Sequence, residues 1–534
     1  MMRSGTTEAP TLPDREAAIL RPVRNCWRVE NASRAACLID GDAYFAAAKQ
    51  AMAEARHSIL LLAWDFAERA RLRPGDPDPA EPDRIGDLLR SLVDRRDGLE
   101  VRVLVWDKAA WLALRRRRIP GAQARNLDHG RLRYVLDDAH PALAVHHQKV
   151  LVVDDAVAFC GGIDFAANRW DTRAHRLHEP RRRKPSGRPY EPHHDVMMLV
   201  DGDAARALGD LARDRWWRAT GERLVPPPRG RAIWPGGVEP DFRDVPVGIA
   251  RTEPAWRGRP ETREVERLYL DSIAAARETI YMESQYLASH RIGQALARRL
   301  AEPDGPEVVI VNPKQAPSWP EQLAMDNART AIVFDLRQAD RFGRLRVYAA
   351  LVDGAEIIVH SKVTVVDDRF LRIGSSNLNA RSMGTDTECD LAIEVVPGTP
   401  GEAAVRRGVR RIRDRLVAEH LDVPAGRLSS TVDRHGSLVR AIDALNAPAG
   451  RRLDEFPPAR PERASTFAHD VLTDPPAPPG KWPDRWLRRH AGSGRAGLVG
   501  ALSAVAVVAT VACAVTWWIG RPGHRGRDVP FPSA

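Results

Sequence analysis

One short pattern of polar residues occurs twice in this chain of 534 residues, at two distant places. The pattern is His-x-Lys-x4-Asp, and its copies are His147, Lys149 and Asp154, and His360, Lys362 and Asp367. All three residues recur at one and the same displacement along the chain. A repeat period this long is typical of two duplicated halves and excludes a solenoid of short repeats.

Apolar strands and amphipathic helices alternate around both copies. A helix is predicted after a turn at 40–42, because Phe45, Ala48 and Met52 recur at helical spacing, and the apolar strand 58–64 follows it. Further predicted elements are helices at 85–94, 264–277, 291–300 and 401–421, and strands at 99–106, 131–136, 145–153, 279–285, 307–311, 345–351 and 357–366. This alternation predicts an α/β fold class rather than an all-β one.

The histidine and the lysine of each copy are two residues apart. On an extended strand such side chains point to the same face, so each strand is expected to present an imidazole and an ammonium together. Asp154 and Asp367 have the opposite parity and fall where hairpins are predicted, with return strands at 157–160 and 370–373. We therefore expect these aspartates to fix the turn or to neutralise a basic neighbour, and not to act on a substrate.

Two halves packed about a pseudo-twofold axis would bring two imidazoles and two ammoniums to one point. This set suits a phosphodiester, because the lysines can hold the non-bridging oxygens while one neutral imidazole attacks phosphorus. The other imidazole, when protonated, can give its proton to the leaving alkoxide and then deprotonate water or another alcohol. The scheme requires neither a metal ion nor a cofactor.

Other residues near the two copies are candidates for binding phosphate or for positioning the motif side chains. Small residues after each hairpin allow close backbone approach, and Ser376 and Asn377 can donate hydrogen bonds to phosphate. Asp195 and Asp390 both open a strand downstream, so they are matching candidates to orient an imidazole, with Glu388 as the alternative to Asp390 and surface ion pairs left open. The full set is Gly162, Asp164, Asp195, Ser376, Asn377, Glu388 and Asp390. The stretch 168–171 either borders the site or is an ordinary loop.

Charge and cysteine content narrow the class of protein. The 81 Lys and Arg against 71 Asp and Glu give a net charge of +10, which favours anionic partners such as phosphates, nucleic acid or lipid headgroups. A mean hydropathy of −0.38 excludes a polytopic transporter. The five cysteines are Cys26, Cys37, Cys160, Cys389 and Cys513. They are scattered and have no metal-ligand spacing, so neither a disulfide framework nor a zinc site is predicted.

The C-terminal part contains an uncharged apolar stretch between Arg495 and Arg521. It exceeds the roughly 20 residues that cross a bilayer, and it carries Trp517 and Trp518 near one end, so a transmembrane helix is predicted at 496–520. More basic residues precede it than follow it, which predicts a cytoplasmic N-terminal side. The expected location is the cell membrane, with a single-pass C-terminal anchor and a cytoplasmic catalytic domain.

The sequence divides into seven predicted segments. They are a flexible arm (1–25), a first lobe (26–225), a connector (226–254), a second lobe (255–446), a Pro-rich basic linker (447–495), the transmembrane helix (496–520) and a short tail (521–534).

The motif segments HHQKVLVVDDAVAFCGGIDFAANRWD and HSKVTVVDDRFLRIGSSNLNARS closely resemble the phospholipase D superfamily. GGID followed by RWD, PHHD around Asp195 and YMESQYL from Tyr281 resemble its phosphatidylcholine-cleaving branch. The resemblance implies two duplicated α-β-α sandwich lobes around a pseudo-twofold axis, one shared site and a phospho-histidine intermediate. It also implies that His147 is the nucleophile and His360 the acid and base.

The function expected from this resemblance is hydrolysis of glycerophospholipids to phosphatidic acid and a free headgroup, with transfer to alcohols as a further reaction left open. The alternatives are a phosphatidyltransferase similar to cardiolipin synthase and, less favoured, a nucleic-acid phosphodiesterase. The expected partners are a phospholipid substrate and the membrane bilayer. Neither nucleic acid nor an obligatory protein partner is expected.

Overall fold

The computed structural model describes residues 18–76, 80–107, 128–141, 144–230, 232–315 and 325–460. The chain divides into two units, 1–478 and 479–534, and every described residue belongs to the first. The described residues form a mixed α/β fold built on one large sheet.

The first half of the chain supplies strands β1 to β8 and helices α1 to α3. They are β1 (Arg28–Ile39), α1 (Asp40–Glu54), β2 (Ser58–Ala63), α2 (Ile85–Arg95), β3 (Glu100–Trp106), β4 (Leu132–Asp137), β5 (Val150–Val153), β6 (Val157–Gly161), β7 (His193–His194), β8 (Val196–Asp201) and α3 (Gly202–Thr220). Acidic Asp40 and Asp42 lie in the first turn of α1, where they complement the helix dipole. Helix α3 ends at Gly221, whose φ of +77° closes the helix in the left-handed conformation.

The second half repeats this order and adds three C-terminal helices. Its elements are β9 (Phe242–Glu253), β10 (Thr262–Arg263), α4 (Glu264–Ala275), β11 (Thr279–Glu283), α5 (His290–Ala301), β12 (Glu307–Val311), α6 (Asn327–Ala339), β13 (Leu345–Val352), β14 (Ala355–Glu356), β15 (Ile358–Val359), β16 (Val363–Val366), β17 (Phe370–Gly374), α7 (Ala380–Gly384), β18 (Glu388–Glu394), α8 (Glu402–His420), α9 (Ala425–His435), α10 (Leu438–Leu445) and β19 (Arg451–Glu455). The Ser289 side chain caps α5 by accepting from the Ile292 backbone N–H.

The two long strands β1 and β9 pair antiparallel and join the halves. From β1 the sheet continues through β8, β6, β5, β2, β3 and β4, and from β9 through β18, β17, β16, β11, β12, β13 and β19. In each half, the motif hairpin, β5–β6 or β16–β17, therefore pairs with the strand that adjoins the central pair β1 and β9. A small separate sheet pairs β7 of the first half with β15 of the second, in parallel.

Three large apolar cores and one small cluster, around Met325, lie within the described part of the chain. The largest contains Val152 and Val365 from the two motif hairpins together with Leu208 of α3 and Leu416 of α8. A second core lies under α1 and α2, and a third under α4, α5 and α6. The largest core includes strands of both halves, so the packing that stabilises the fold also fixes one motif relative to the other.

The predicted fold class, two duplicated α-β-α sandwich lobes around a pseudo-twofold axis with a C-terminal transmembrane helix, was wrong. The halves are merged into one sheet, because β1 and β9 pair along most of their length. Within the described part of the chain, no helix is long and apolar enough to cross a membrane. The predicted span at 496–520 lies outside the described residues.

Three predicted boundary segments contain ordered structure. The predicted connector 226–254 includes β9, and the predicted linker 447–495 includes β19, which pairs with β13. In the predicted arm 1–25, the buried Ile19 and its neighbour Leu20 donate backbone hydrogen bonds to the Glu394 carboxylate. Residues 1–17 and 461–495 lie outside the described residues.

Candidate active site

Just before its hairpin, each motif segment forms a backbone hydrogen bond with the opposite half of the chain. The predicted strands 145–153 and 357–366 are regular only in part, since His147 precedes β5 and His360 lies between β15 and β16. The His147 backbone N–H donates to Thr387 of the second half at 3.0 Å, and that of His360 donates to His194 of the first half at 2.8 Å. Pairing across the halves therefore replaces the regular strand that the sequence predicted.

The His147 imidazole is oriented by a carboxylate from the second half. Its Nδ1 lies 3.0 Å from Glu388 Oε2, and the Glu388 side chain is fully buried. Glu388 also accepts from Ser375 Oγ at 2.5 Å and from Ser382 Oγ at 2.6 Å. With Nδ1 held in this way, Nε2 is the nitrogen that can attack a substrate.

The His360 imidazole is oriented by a carboxylate from the first half. Its Nδ1 lies 2.7 Å from Asp195 Oδ2, while Asp195 Oδ1 accepts from the Val196 backbone N–H at 2.8 Å. The His360 ring also packs on the His193 ring, with centroids 5.4 Å apart. Each motif histidine thus depends on an acid from the other half.

The structure distinguishes among the three acids that sequence reasoning proposed for this task. Asp195 contacts His360, and Glu388 contacts His147. Asp390 instead binds the buried Arg372 and accepts backbone hydrogen bonds from Ser375 and Ser376. Asp390 therefore holds the turn after β17 and contacts neither motif histidine.

The two lysines are buried beside their histidines. Lys149 Nζ lies 3.2 Å from Asp164 Oδ2 and donates to the His147 carbonyl at 2.9 Å. Lys362 Nζ donates to the His360 carbonyl and lies 3.4 Å from His360 Nδ1. Burial lowers the pKa of Lys362 to about 7, and the charge of Lys149 acts in the same direction. The two ammoniums are therefore close enough to affect each other.

Charges from both motifs act on each of the two histidines. Burial lowers the pKa of His147 well below its usual value, and both Lys149 and Lys362 lower it further. Burial also lowers the pKa of His360, and the same two lysines and His147 add to the effect. Each lysine thus acts on the histidine of the other half, and both imidazoles are kept neutral without substrate.

The motif aspartates bind backbone rather than site groups. The Asp154 carboxylate accepts from three consecutive backbone N–H groups at the start of β2, those of Arg56, His57 and Ser58. The Asp367 carboxylate does the same at the start of β11, with Arg277, Glu278 and Thr279. Both aspartates have positive φ, 53° and 52°, as the hairpin turns require. They anchor each turn to the neighbouring strand.

The small residues after the hairpins have different environments. A Cβ on Gly162 would overlap the Asp195 carboxylate, so this glycine makes room for the group that orients His360. The Ser376 hydroxyl donates to Asp390, so it is engaged in the turn. Asn377 is buried, and its Oδ1 has no hydrogen-bond partner within the described residues.

Two residues near the site were not assigned a role from the sequence. Trp64 directly follows β2, and its ring lies 6.2 Å from the His147 ring and 5.8 Å from Lys149 Nζ. Arg169 lies in the stretch 168–171, and its charge lowers the pKa of both His360 and Lys362, after burial and nearer charges. Among described residues, the Arg169 side chain donates only to Asn168, and its buried Nε has no hydrogen-bond partner. The sequence left open whether this stretch borders the site, and it did not select the arginine.

Two family models match the chain. The model described as "Phospholipase D" matches residues 122–227 and 349–471, and the model described as "Cardiolipin synthase, PLD-like domain" matches 269–398. Each matched stretch contains one copy of the His-x-Lys-x4-Asp pattern.

Curated relatives are similar at low identity. The protein named phospholipase D A of Dictyostelium discoideum is 26% identical over 428 residues, which cover 66% of this chain and 32% of that protein. Phospholipase D alpha 1 of Oryza sativa subsp. japonica is 24% identical over 545 residues, covering 76% of this chain and 66% of that protein. The matched part thus spans about a third of one relative's length and about two thirds of the other's.

Among solved structures, the phosphatidylserine synthase of Haemophilus influenzae Rd KW20 aligns with a TM-score of 0.49 and 14% identity. The alignment covers 78% of this chain and 96% of that chain.

Proposed function

Because this chain belongs to the phospholipase D superfamily, we propose that it hydrolyses the headgroup phosphodiester of a glycerophospholipid. The products are phosphatidic acid and the free headgroup. One observation carries the proposal: His147 is paired with Glu388 and His360 with Asp195, each across the two halves of the chain. Such reciprocal pairing builds one site from two motifs.

In the first step His147 acts as the nucleophile. Its neutral Nε2 attacks phosphorus, while Nδ1–H keeps its hydrogen bond to Glu388, whose carboxylate offsets the positive charge that develops on the ring. Lys149 and Lys362 are placed to hold the two non-bridging oxygens. The bond from phosphorus to the headgroup oxygen breaks as the bond from phosphorus to Nε2 forms.

His360 supplies the proton that the leaving headgroup needs. A bound phosphodiester brings a negative charge between the two ammoniums, which opposes their effect on His360 and favours its protonated form. After the headgroup leaves, neutral His360 takes a proton from water, and the resulting hydroxide attacks the phospho-histidine. Phosphatidic acid is released, His147 is again neutral, and His360 is again protonated as at the first step; it returns this proton to solvent when the product leaves.

A second candidate is transfer of the phosphatidyl group to a lipid alcohol. The match of residues 269–398 to the family described as "Cardiolipin synthase, PLD-like domain" favours it. The same constellation serves both reactions, because the acceptor of the phospho-histidine is water in one and an alcohol in the other. The difference lies in which acceptor reaches His360.

A lipid panel with product analysis tests the proposal. Purified protein is incubated with phosphatidylcholine and other glycerophospholipids, with and without a primary alcohol, and with a nucleic-acid diester as a comparison substrate. Headgroup release and phosphatidic acid are expected, with phosphatidylalcohol when alcohol is present. The variants His147→Ala and His360→Ala should each lose activity by several orders of magnitude. His435→Gln is the matched control, since His435 is exposed at the end of α9. Cleavage of nucleic acid alone would refute the proposed substrate class.

A further inference from the structure

A second cluster of buried histidines and carboxylates lies behind the motif residues. Asp40 begins α1, His175 lies in the loop before β7, His194 ends β7, and Glu419 lies in the last turn of α8. Each of these side chains is at most 1% exposed. The cluster therefore joins three residues of the first half to one of the second in a place that water does not reach.

Four distances within this cluster, two of them to different oxygens of Asp40, are close to the edge length of a metal-ligand tetrahedron. His175 Nε2 lies 3.2 Å from Glu419 Oε1 and 3.5 Å from Asp40 Oδ2. His194 Nδ1 lies 3.0 Å from Glu419 Oε1 and 3.1 Å from Asp40 Oδ1. Four ligands at about 2.0–2.1 Å from a tetrahedral Zn²⁺ are separated by about 3.3 Å from one another. Two imidazole nitrogens and two carboxylates thus lie within 4.8 Å of one another, close enough to surround one ion.

The far side of each imidazole is also held by a carboxylate. His175 Nδ1 lies 3.1 Å from Asp171 Oδ2, and His194 Nε2 lies 3.0 Å from Glu283 Oε2. Histidines that bind a metal typically direct their other ring nitrogen to a carboxylate in this way, which fixes the ring and makes it a better ligand.

One oxygen of the cluster points to a missing partner. Asp40 Oδ2 is buried and has no hydrogen-bond partner among the described residues. A carboxylate oxygen buried without a partner is strongly destabilising. The Asp40 backbone has a φ of +68°, a conformation that is unfavourable for a non-glycine residue, so the fold holds this oxygen in place at some further cost.

The buried carboxylates around the cluster outnumber the arginines that pair with them. Four buried carboxylates face it: Asp40, Asp171, Glu283 and Glu419. Two arginines offset part of this charge, since Arg173 pairs with Glu419 and Arg182 with Asp171. Either a divalent cation between neutral imidazoles or two additional protons on those imidazoles would supply the remainder. The unpartnered Asp40 oxygen favours the cation, because a proton on His175 would leave that oxygen 3.5 Å away.

We propose that Asp40, His175, His194 and Glu419 bind one divalent transition-metal ion, with Zn²⁺ as the best match to a closed four-ligand N₂O₂ site. All four positions are taken by protein, so the ion is structural and fastens α8 to the first half. The site also supports the acid that orients His360, because the Asp40 backbone N–H donates to the Asp195 carbonyl at 2.8 Å. The sequence indicated no metal site because its ligands are widely separated and none is a cysteine.

Metal analysis of the full-length protein tests this proposal. Protein produced in zinc-supplemented medium and then dialysed should retain about one Zn²⁺ per chain, as measured by inductively coupled plasma mass spectrometry. Removal by a strong chelator should lower the melting temperature, and added Zn²⁺ should restore it. Co²⁺ in place of Zn²⁺ should give the intense visible absorption of a tetrahedral site.

Variants separate this site from adventitious binding. His175→Gln and Glu419→Gln should each lose the ion, whereas His435→Gln, at an exposed histidine of α9, should keep it. A metal-free wild-type protein whose melting temperature responds to neither chelator nor Zn²⁺ would overturn the proposal and identify the cluster as a protonated imidazole–carboxylate network. None of these readouts uses lipid turnover, so the result is independent of the proposed function.

Discussion

Replacing Asp195 by asparagine isolates the electrostatic part of the proposed chemistry. Asp195 Oδ2 lies 2.7 Å from His360 Nδ1, and the two side chains are 1% and 8% exposed, so solvent screens the pair little. Unit charges about 4 Å apart at an effective dielectric constant of about 20 attract by about 4 kcal/mol. The asparagine side-chain oxygen can still accept the hydrogen bond from His360, which preserves about 1 kcal/mol of this attraction. Asp195→Asn should therefore lower kcat by about 100-fold, since each 1.4 kcal/mol corresponds to about tenfold.

The pH profile separates this effect from simple damage to the fold. The carboxylate favours the protonated imidazole, so its loss lowers the pKa of His360 further, and the alkaline limb of the kcat profile should move to lower pH. Headgroup release measured from pH 5 to 9 checks both quantities. Asp201→Asn is the matched control, because Asp201 is a buried carboxylate at the other end of β8 that pairs with Arg34. Wild-type kcat with an unshifted limb in Asp195→Asn would refute the assignment of His360 as the acid.

Three further variants test other parts of the site. In Lys362→Met the free energy of unfolding should rise while activity is lost. In the wild type, burial lowers the folded-state pKa of Lys362 from 10.5 to about 7, so the free energy of unfolding should increase by about 3 kcal/mol between pH 7 and 9.5. The variant should lack this increase, which urea denaturation at both pH values measures. Gly162→Ala should reduce kcat by about tenfold or more with a smaller change in melting temperature, because the new Cβ overlaps the Asp195 carboxylate; unchanged kcat would contradict the described packing. Arg169→Gln removes a positive charge that lowers the pKa of His360, so the alkaline limb of kcat should move to higher pH, opposite to the shift in Asp195→Asn; a shift in the same direction would exclude that role.

The repeat and its hairpins could be predicted from the sequence, because both depend on local spacing. The strand β9 could not be recognised, since Pro246 and Gly248 interrupt its apolar pattern and both residues are unfavourable inside a sheet. It pairs with β1 all the same, and Pro246 lies opposite Asn31. That pairing merges the two halves into one sheet, so the prediction of two sandwich lobes failed where tertiary packing outweighs local preference.

The candidate site shows the same limit. Glu388 and Asp390 lie two positions apart on β18 and have similar chemistry, so the sequence could not decide which one reaches His147. The answer depends on how the halves pack: Glu388 faces the first half, and Asp390 is taken by Arg372. The cluster of Asp40, His175, His194 and Glu419 was invisible for the same reason, because no spacing relates its members. The cellular location and the domain boundaries stay predictions.

The most direct test of one shared site is to find which histidine carries the phosphoryl group. The protein is mixed with a phospholipid, quenched in alkali within the first turnovers, digested and analysed by mass spectrometry. A single phospho-histidine at His147 is expected, and it should persist longer in His360→Asn, where hydrolysis lacks its base. Phosphorylation of His360 in the wild type, or of both histidines independently, would contradict the account.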